Sequence, residues 1–158
     1  MLINRSKSAA LIAGAAFFLS AATAPASADE VFSSSNQSPS RIVVRVDISE
    51  QKMTVIQDGQ RVHTWPVSTA RPGKITPRGT FQPQVFSPNH RSSLYNNAPM
   101  PWSVFYSGHY AIHGTDAINR LGQPASAGCV RLHPDNAKVL YSMIRNVGKQ
   151  DTYIVVQE

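Results

Sequence analysis

A chain of 158 residues with 15 Lys and Arg against 9 Asp and Glu carries a formal charge of +6, and its basic residues are scattered among acids. That distribution gives no continuous basic stripe, so a nucleic-acid surface is not expected. Cys129 is the single cysteine, which excludes an internal disulfide framework, and a chain of this size builds one core without such staples.

The N-terminus sets the expected compartment. Arg5 and Lys7 precede an almost wholly apolar run from Ala9 to Ala22, followed by Pro25 and the small triplet Ala26-Ser27-Ala28. This is the pattern of a secretory signal cleaved after Ala28. The apolar run is shorter than the roughly 20 residues a membrane span needs. The reading is therefore a removed signal, no membrane span in the mature chain, and a periplasmic or wall-facing location. Removal lowers the formal charge to +4, because residues 1–28 hold Arg5 and Lys7 and no acid. Mild basicity suits polyanionic surroundings such as a cell wall. The Ser-rich stretch up to Ser40 reads as a disordered lead-in. The expected organisation is thus a signal over 1–28, a lead-in over 29–40 and one domain over 41–158.

From Arg41 the chain reads as strands. "RIVVRVDIS" is a β-branched run and "KMTVIQ" follows a Ser-Glu-Gln turn. Asp58-Gly59 is a hairpin signal leading into "RVHTWPVST". Ala70 to Gly79, punctuated by Pro72, Gly73 and Pro77, is expected to be loop. "TFQPQVF" reads as one strand, at an edge because of Pro83, and Pro88 to Pro101 as a long polar loop. "WSVFYS" and "HYAIHG" are expected to pair around Ser107-Gly108. Pro134 to Val147 is the one predicted helix, with Pro134 and Asp135 suited to its first turn and Gly148 to its C-terminal cap. Ala137, Leu140, Tyr141, Ile144 and Val147 share its apolar face. "DTYIVV" closes the chain as a strand. The fold class is mainly β with one packed helix.

The chemistry gathers in "HGTDAINRLGQPASAGCVRLHP", residues His113 to Pro134. A free thiol is mostly protonated at neutral pH and needs a base or a positive field to become nucleophilic. His113 ends a strand-like run, and the turn-rich segment after it can return the chain so that Cys129 and His113 meet at adjacent strand ends. Gly128 permits close backbone approach, and the amides of Gly128 and Cys129 are candidates to face a developing oxyanion. Arg131 lies two positions beyond Cys129, on the same face of a strand. There it can favour the thiolate or hold a substrate carboxylate. Tyr95, in the long loop, is a candidate substrate contact, whereas Trp102 and Tyr106 read as core. A metal cluster of His109, His113 and His133 is disfavoured by strand spacing and the lack of a nearby acid. His133 reads instead as a residue at the helix cap.

Together "IHGT" and "SAGCVRL" resemble the signature of the L,D-transpeptidase catalytic domain (YkuD-type), a His-Gly pair followed by Ser-His-Gly-Cys-x-Arg. "VDISEQKMTVIQDGQRVHTWPVSTA", "PGKITPRGTF" and "MPWSVFY" sit in the family's order, so the likeness covers roughly Arg41 to Val156. The resemblance implies a β-sandwich of that type, with Cys129 as nucleophile, His113 as general base and the Gly114 carbonyl orienting its imidazole. Ser126, Gly128 and Arg131 match motif positions around the nucleophile, Ser126 being a candidate substrate contact or a residue that only hydrogen-bonds its own loop, and no metal or organic cofactor is implied. The implied substrates are peptidoglycan tetrapeptide stems, cleaved after the third residue with release of D-Ala. The implied acceptors are a second stem, an amine of an outer-membrane protein, or water. Ala127 departs from the pattern, since the family usually has histidine there. His109 is not assigned to replace it, being about 13 Å from His113 on a regular strand. Two rivals stand beside this reading. A sortase-like cysteine transpeptidase fits less well, because its arginine lies much further from the cysteine. A catalytically weakened domain that binds wall peptides is the reading that Ala127 favours.

Overall fold

The computed structural model describes residues 40–158; the signal-like stretch and all but the last residue of the lead-in lie outside the described residues. Among the described residues nine strands form two sheets. The first is ordered β3-β2-β1-β9-β4, with β1 Ile42–Asp47, β2 Lys52–Gln57, β3 Gln60–Pro66, β4 Gly79–Phe81 and β9 Thr152–Gln157. The second is ordered β5-β6-β7-β8, with β5 Val85–Arg91, β6 Pro99–Ser107, β7 Tyr110–Gly114 and β8 Val130–Leu132. The one α-helix among the described residues, α1 (Pro134–Val147), packs on β6 and β7. Among the described residues no helix is long and apolar enough to cross a membrane.

Period-two alternation builds the core. Ile42, Val44 and Val46 of β1, Met53 and Val55 of β2, and Ile154 and Val156 of β9 are buried, and the residues alternating with them are exposed or half-buried. In β7 every residue from Ala111 to Gly114 is buried, as expected of a strand covered on both faces. The helix adds Ala137, Leu140 and Ile144, with Tyr141 and Val147 half-buried against the same cluster. His133 caps it, its Nδ1 accepting from the Asp135 amide at 3.3 Å, and the Gly148 amide closes the far end on the Ile144 carbonyl at 2.8 Å. Asp58 and Gly59 turn the β2–β3 hairpin, and the Asp58 carboxylate also accepts from the Arg41 amide and the Ser40 hydroxyl. Tyr106 is fully buried and Trp102 half-buried against the core.

Three expectations are corrected. "TFQPQVF" is not one strand: Phe81 pairs with Ile154 in the first sheet and Val85 with Phe105 in the second, so the chain changes sheets across Pro83. The long loop shrinks to Ser92–Ala98, because β5 runs on to Arg91 and β6 begins at Pro99. Pro88 is tolerated since β5 is an edge strand, where a missing amide breaks no ladder. The third concerns His109, which lies with Gly108 in the turn joining Ser107 to Tyr110 rather than in β7.

Candidate active site

The site is built by the parallel pair β7–β8. Their register sets Ile112 beside Val130, His113 beside Arg131 and Gly114 beside Leu132. Cys129 therefore enters β8 next to the strand that carries His113. Both line a cavity of about 270 Å³, together with Arg131, Arg71, Tyr95 and His109.

His113 is buried, and its Nδ1 lies 2.7 Å from the carbonyl oxygen of Gly114. A carbonyl only accepts, so Nδ1 carries the proton and the lone pair sits on Nε2. This close return of the backbone needs glycine: a Cβ at Gly114 would lie 3.0 Å from both Pro101 and Pro134. Burial is the main cause that lowers the His113 pKa to about 4, and the Arg131 and His90 charges add to it, against the opposing bond to Gly114. The imidazole is neutral at neutral pH and able to take a proton. Burial pushes the Cys129 thiol up, while the Ala111 amide and the Arg131 charge act to lower it. The thiol donates weakly to the His109 carbonyl at 3.9 Å. The resting pair is thus a neutral thiol and a neutral imidazole. Moving one proton between them creates two charges that offset each other's desolvation.

The turn before Cys129 is held from both sides. The Ser126 hydroxyl donates to the Cys129 carbonyl at 2.6 Å and accepts from the Gly128 amide at 2.9 Å. Ser126 is fully buried, so its hydroxyl is occupied within the turn rather than offered to a substrate. The Gly128 amide, expected to face an oxyanion, is occupied by the same bond. The Cys129 amide has no hydrogen-bond partner among the described residues. On the other side Thr76 Oγ donates to the Gly128 carbonyl at 2.8 Å, and the Arg71 amide to the Ser126 carbonyl at 2.9 Å.

Gly128 has φ +137°, and a Cβ there would stand 2.5 Å from the Tyr110 ring and 2.7 Å from the Ile75 carbonyl oxygen. Gly128→Ala is expected to lower stability by about 1–3 kcal/mol through overpacking and backbone strain. By displacing the thiol it should slow acylation about a hundredfold. Thermal melts and an acylation rate check the two parts separately.

The neutral, buried His113 also fixes a pH dependence. Between its ordinary pKa of 6.5 and about 4, the unfolded chain binds a proton that the folded chain does not. Stability is therefore expected to fall as pH drops through this window, by on the order of 3 kcal/mol, and to be unaffected by this group above it. Acylation of the thiol should be insensitive to His113 titration at neutral pH and fall as pH drops through about 4. Melts and acylation rates from pH 3.5 to 8 test both.

The structure brings Cys129, His113, Gly114, Ser126, Gly128 and Arg131 together, and Tyr95, half exposed in the Ser92–Ala98 loop, lines the same cavity. His133 caps the helix instead. Arg71, His90, Tyr110 and Asp116 also line the cavity and were not singled out from sequence, and His109, set aside there as too distant, lines it as well. Arg71 stands in a loop whose pairing with the Ser126–Cys129 turn has no local signature. His109 was set aside because a regular strand was assumed where the chain turns. Among the described residues no group of three His, Cys, Asp or Glu is placed to hold a metal ion.

Comparison with known proteins places this geometry in a family. The sequence model of the L,D-transpeptidase catalytic domain, YkuD, matches residues 41–155. The chain is 27% identical over 110 residues to the Bacillus licheniformis protein YkuD, named by inference as an L,D-transpeptidase, covering 65% of this chain and 60% of that protein. It resembles the solved L,D-transpeptidase from Mycobacterium smegmatis with a TM-score of 0.67 at 26% identity, over 75% of this chain and 59% of that one. An L,D-transpeptidase from Stackebrandtia nassauensis gives 0.65 at 25% identity, over 82% and 62% of the two chains. The chain spans about 60% of the length of these relatives. With the matching model covering most of its length, the chain belongs to the YkuD family of L,D-transpeptidase catalytic domains.

Proposed function

We propose that this protein is an L,D-transpeptidase that acts on peptidoglycan tetrapeptide stems through a thioester on Cys129. The observation that carries the reading is the placement of a half-buried thiol and a neutral, carbonyl-oriented imidazole in one cavity. Cys129 attacks the carbonyl carbon of the third stem residue as its proton passes to His113 Nε2. The unpartnered Cys129 amide stabilises the tetrahedral oxyanion, since the Gly128 amide is already held by Ser126. Collapse expels D-Ala, which leaves with the proton from His113 and gives the thioester. An acceptor amine then attacks the thioester, loses its proton to His113 and restores the thiol. The acceptor is a second stem, giving 3–3 cross-links, or the amine of an outer-membrane protein, giving its attachment to the wall. The signal-like N-terminus supports work in the periplasm or at the wall.

Intact-mass spectrometry of the purified protein tests this, with a carbapenem and with a tetrapeptide-stem muropeptide in separate incubations. The expected result is an adduct on wild type, none on Cys129→Ala, and loss of D-Ala from the muropeptide. Product masses then distinguish cross-linking from hydrolysis. An unreactive thiol with intact muropeptide binding would overturn the reading in favour of a wall-peptide-binding domain.

A further inference from the structure

Positive charge gathers at the cavity with no carboxylate bound to it. Arg131 reaches in from β8 and is half-buried, and Arg71 reaches in from the loop after β3, its Nη1 3.4 Å from the Ser126 carbonyl oxygen. Among the described residues the side-chain ion pairs are Lys52–Glu50, Arg78–Glu158 and His133–Asp135, and none includes a residue of this cavity. Among the described residues Asp116 is the only acid lining it, and although its charge is felt by Arg131 it is exposed and forms no ion pair with either arginine. Two guanidinium groups facing one cavity repel each other, and burial of Arg131 sharpens the penalty. A bound anion relieves both effects, and a planar guanidinium fork matches a carboxylate bidentately.

We propose that Arg71 and Arg131 form the two sides of a carboxylate-binding subsite beside Cys129, so that the acyl donor is selected for a free carboxylate near the bond it breaks. This rests on the function proposed above and narrows its substrate. Two carboxylates of a stem peptide meet the requirement: that of the departing C-terminal residue, and one carried on the side chain of the residue whose carbonyl is attacked. Arg71 is the selective element, because it is exposed and the amide that ties its loop to Ser126 belongs to the backbone. Changing its side chain leaves that tie in place.

The test measures kcat/KM for release of the C-terminal residue from three tetrapeptide donors, with wild type, Arg71→Gln and Arg71→Lys. The donors are the free acid, the C-terminal amide, and the amide of the third-residue side chain. The expected result is a fall of about 10–100-fold for wild type on whichever amide removes the recognised carboxylate, the range of one charge-assisted interaction. Arg71→Gln should lose a similar factor on the free acid and little more on that amide, while Arg71→Lys falls between. Melts confirm that both variants fold. Equal losses on all three donors, or indifference of wild type to both amides, would overturn the subsite while leaving the transpeptidase reading intact. No turnover of any donor by wild type would overturn both.

Discussion

Cys129→Ser is expected to fold normally and form no acyl-enzyme, with turnover lower by on the order of 10⁶-fold, the scale seen when a covalent catalyst loses its nucleophile. The thiol makes only a weak bond to the His109 carbonyl at 3.9 Å, so exchanging sulfur for oxygen disturbs little packing and the melting temperature should move by no more than a few degrees. The chemistry, by contrast, has no route around sulfur. With a pKa of about 4, His113 is a weak base, and an alcohol is far less acidic than even a thiol whose pKa burial has raised. The proton transfer that creates a usable thiolate would then create an alkoxide at prohibitive cost. Intact mass after carbapenem treatment and the rate of D-Ala release measure the effect. Turnover within tenfold of wild type would mean that Cys129 is not the nucleophile.

His113→Gln should slow acyl transfer by about 10²–10⁴-fold, the usual contribution of a positioned acid–base group. Glutamine preserves polarity in a buried position and can still donate to the Gly114 carbonyl, but it cannot accept a proton and return it. The loss should fall on kcat with KM little changed, because the proton moves only as bonds are made and broken. A second readout identifies the group. Wild type is expected to lose stability as pH drops from 6.5 toward 4, whereas the variant has no imidazole to titrate there and should lack that component. A change confined to KM, or an unchanged acid profile, would assign the imidazole a binding or packing role.

The parts of this molecule written in local signals were legible from sequence. Asp58-Gly59 announced the first hairpin, the β-branched run from Arg41 a strand, and Pro134, Asp135 and Gly148 the bounds of the helix. The same is true of the Cys129, His113 and Arg131 constellation, whose spacing along the chain survives as adjacency across β7 and β8. What escaped depends on partners elsewhere. Pro83 looked like an edge proline inside one strand, but it marks a crossing between sheets, set by Ile154 on one side and Phe105 on the other. Pro88 looked like loop, yet an edge strand accommodates it. The roles expected for the Gly128 amide and the Ser126 hydroxyl were displaced by a bond between those two groups, and no residue pattern distinguishes an occupied donor from a free one.

The fastening of the catalytic turn has a consequence for when the protein becomes reactive. Thr76 reaches Gly128 across 52 residues of sequence, and the Arg71 amide reaches the Ser126 carbonyl across 55. Contacts of such span form only as the chain completes its topology. Before that point Cys129 is an ordinary, mostly protonated thiol with no imidazole at hand. Reactivity is therefore a property of the finished molecule, withheld from the nascent chain. The extent of acylation by a mechanism-based reagent accordingly counts folded protein, molecule by molecule.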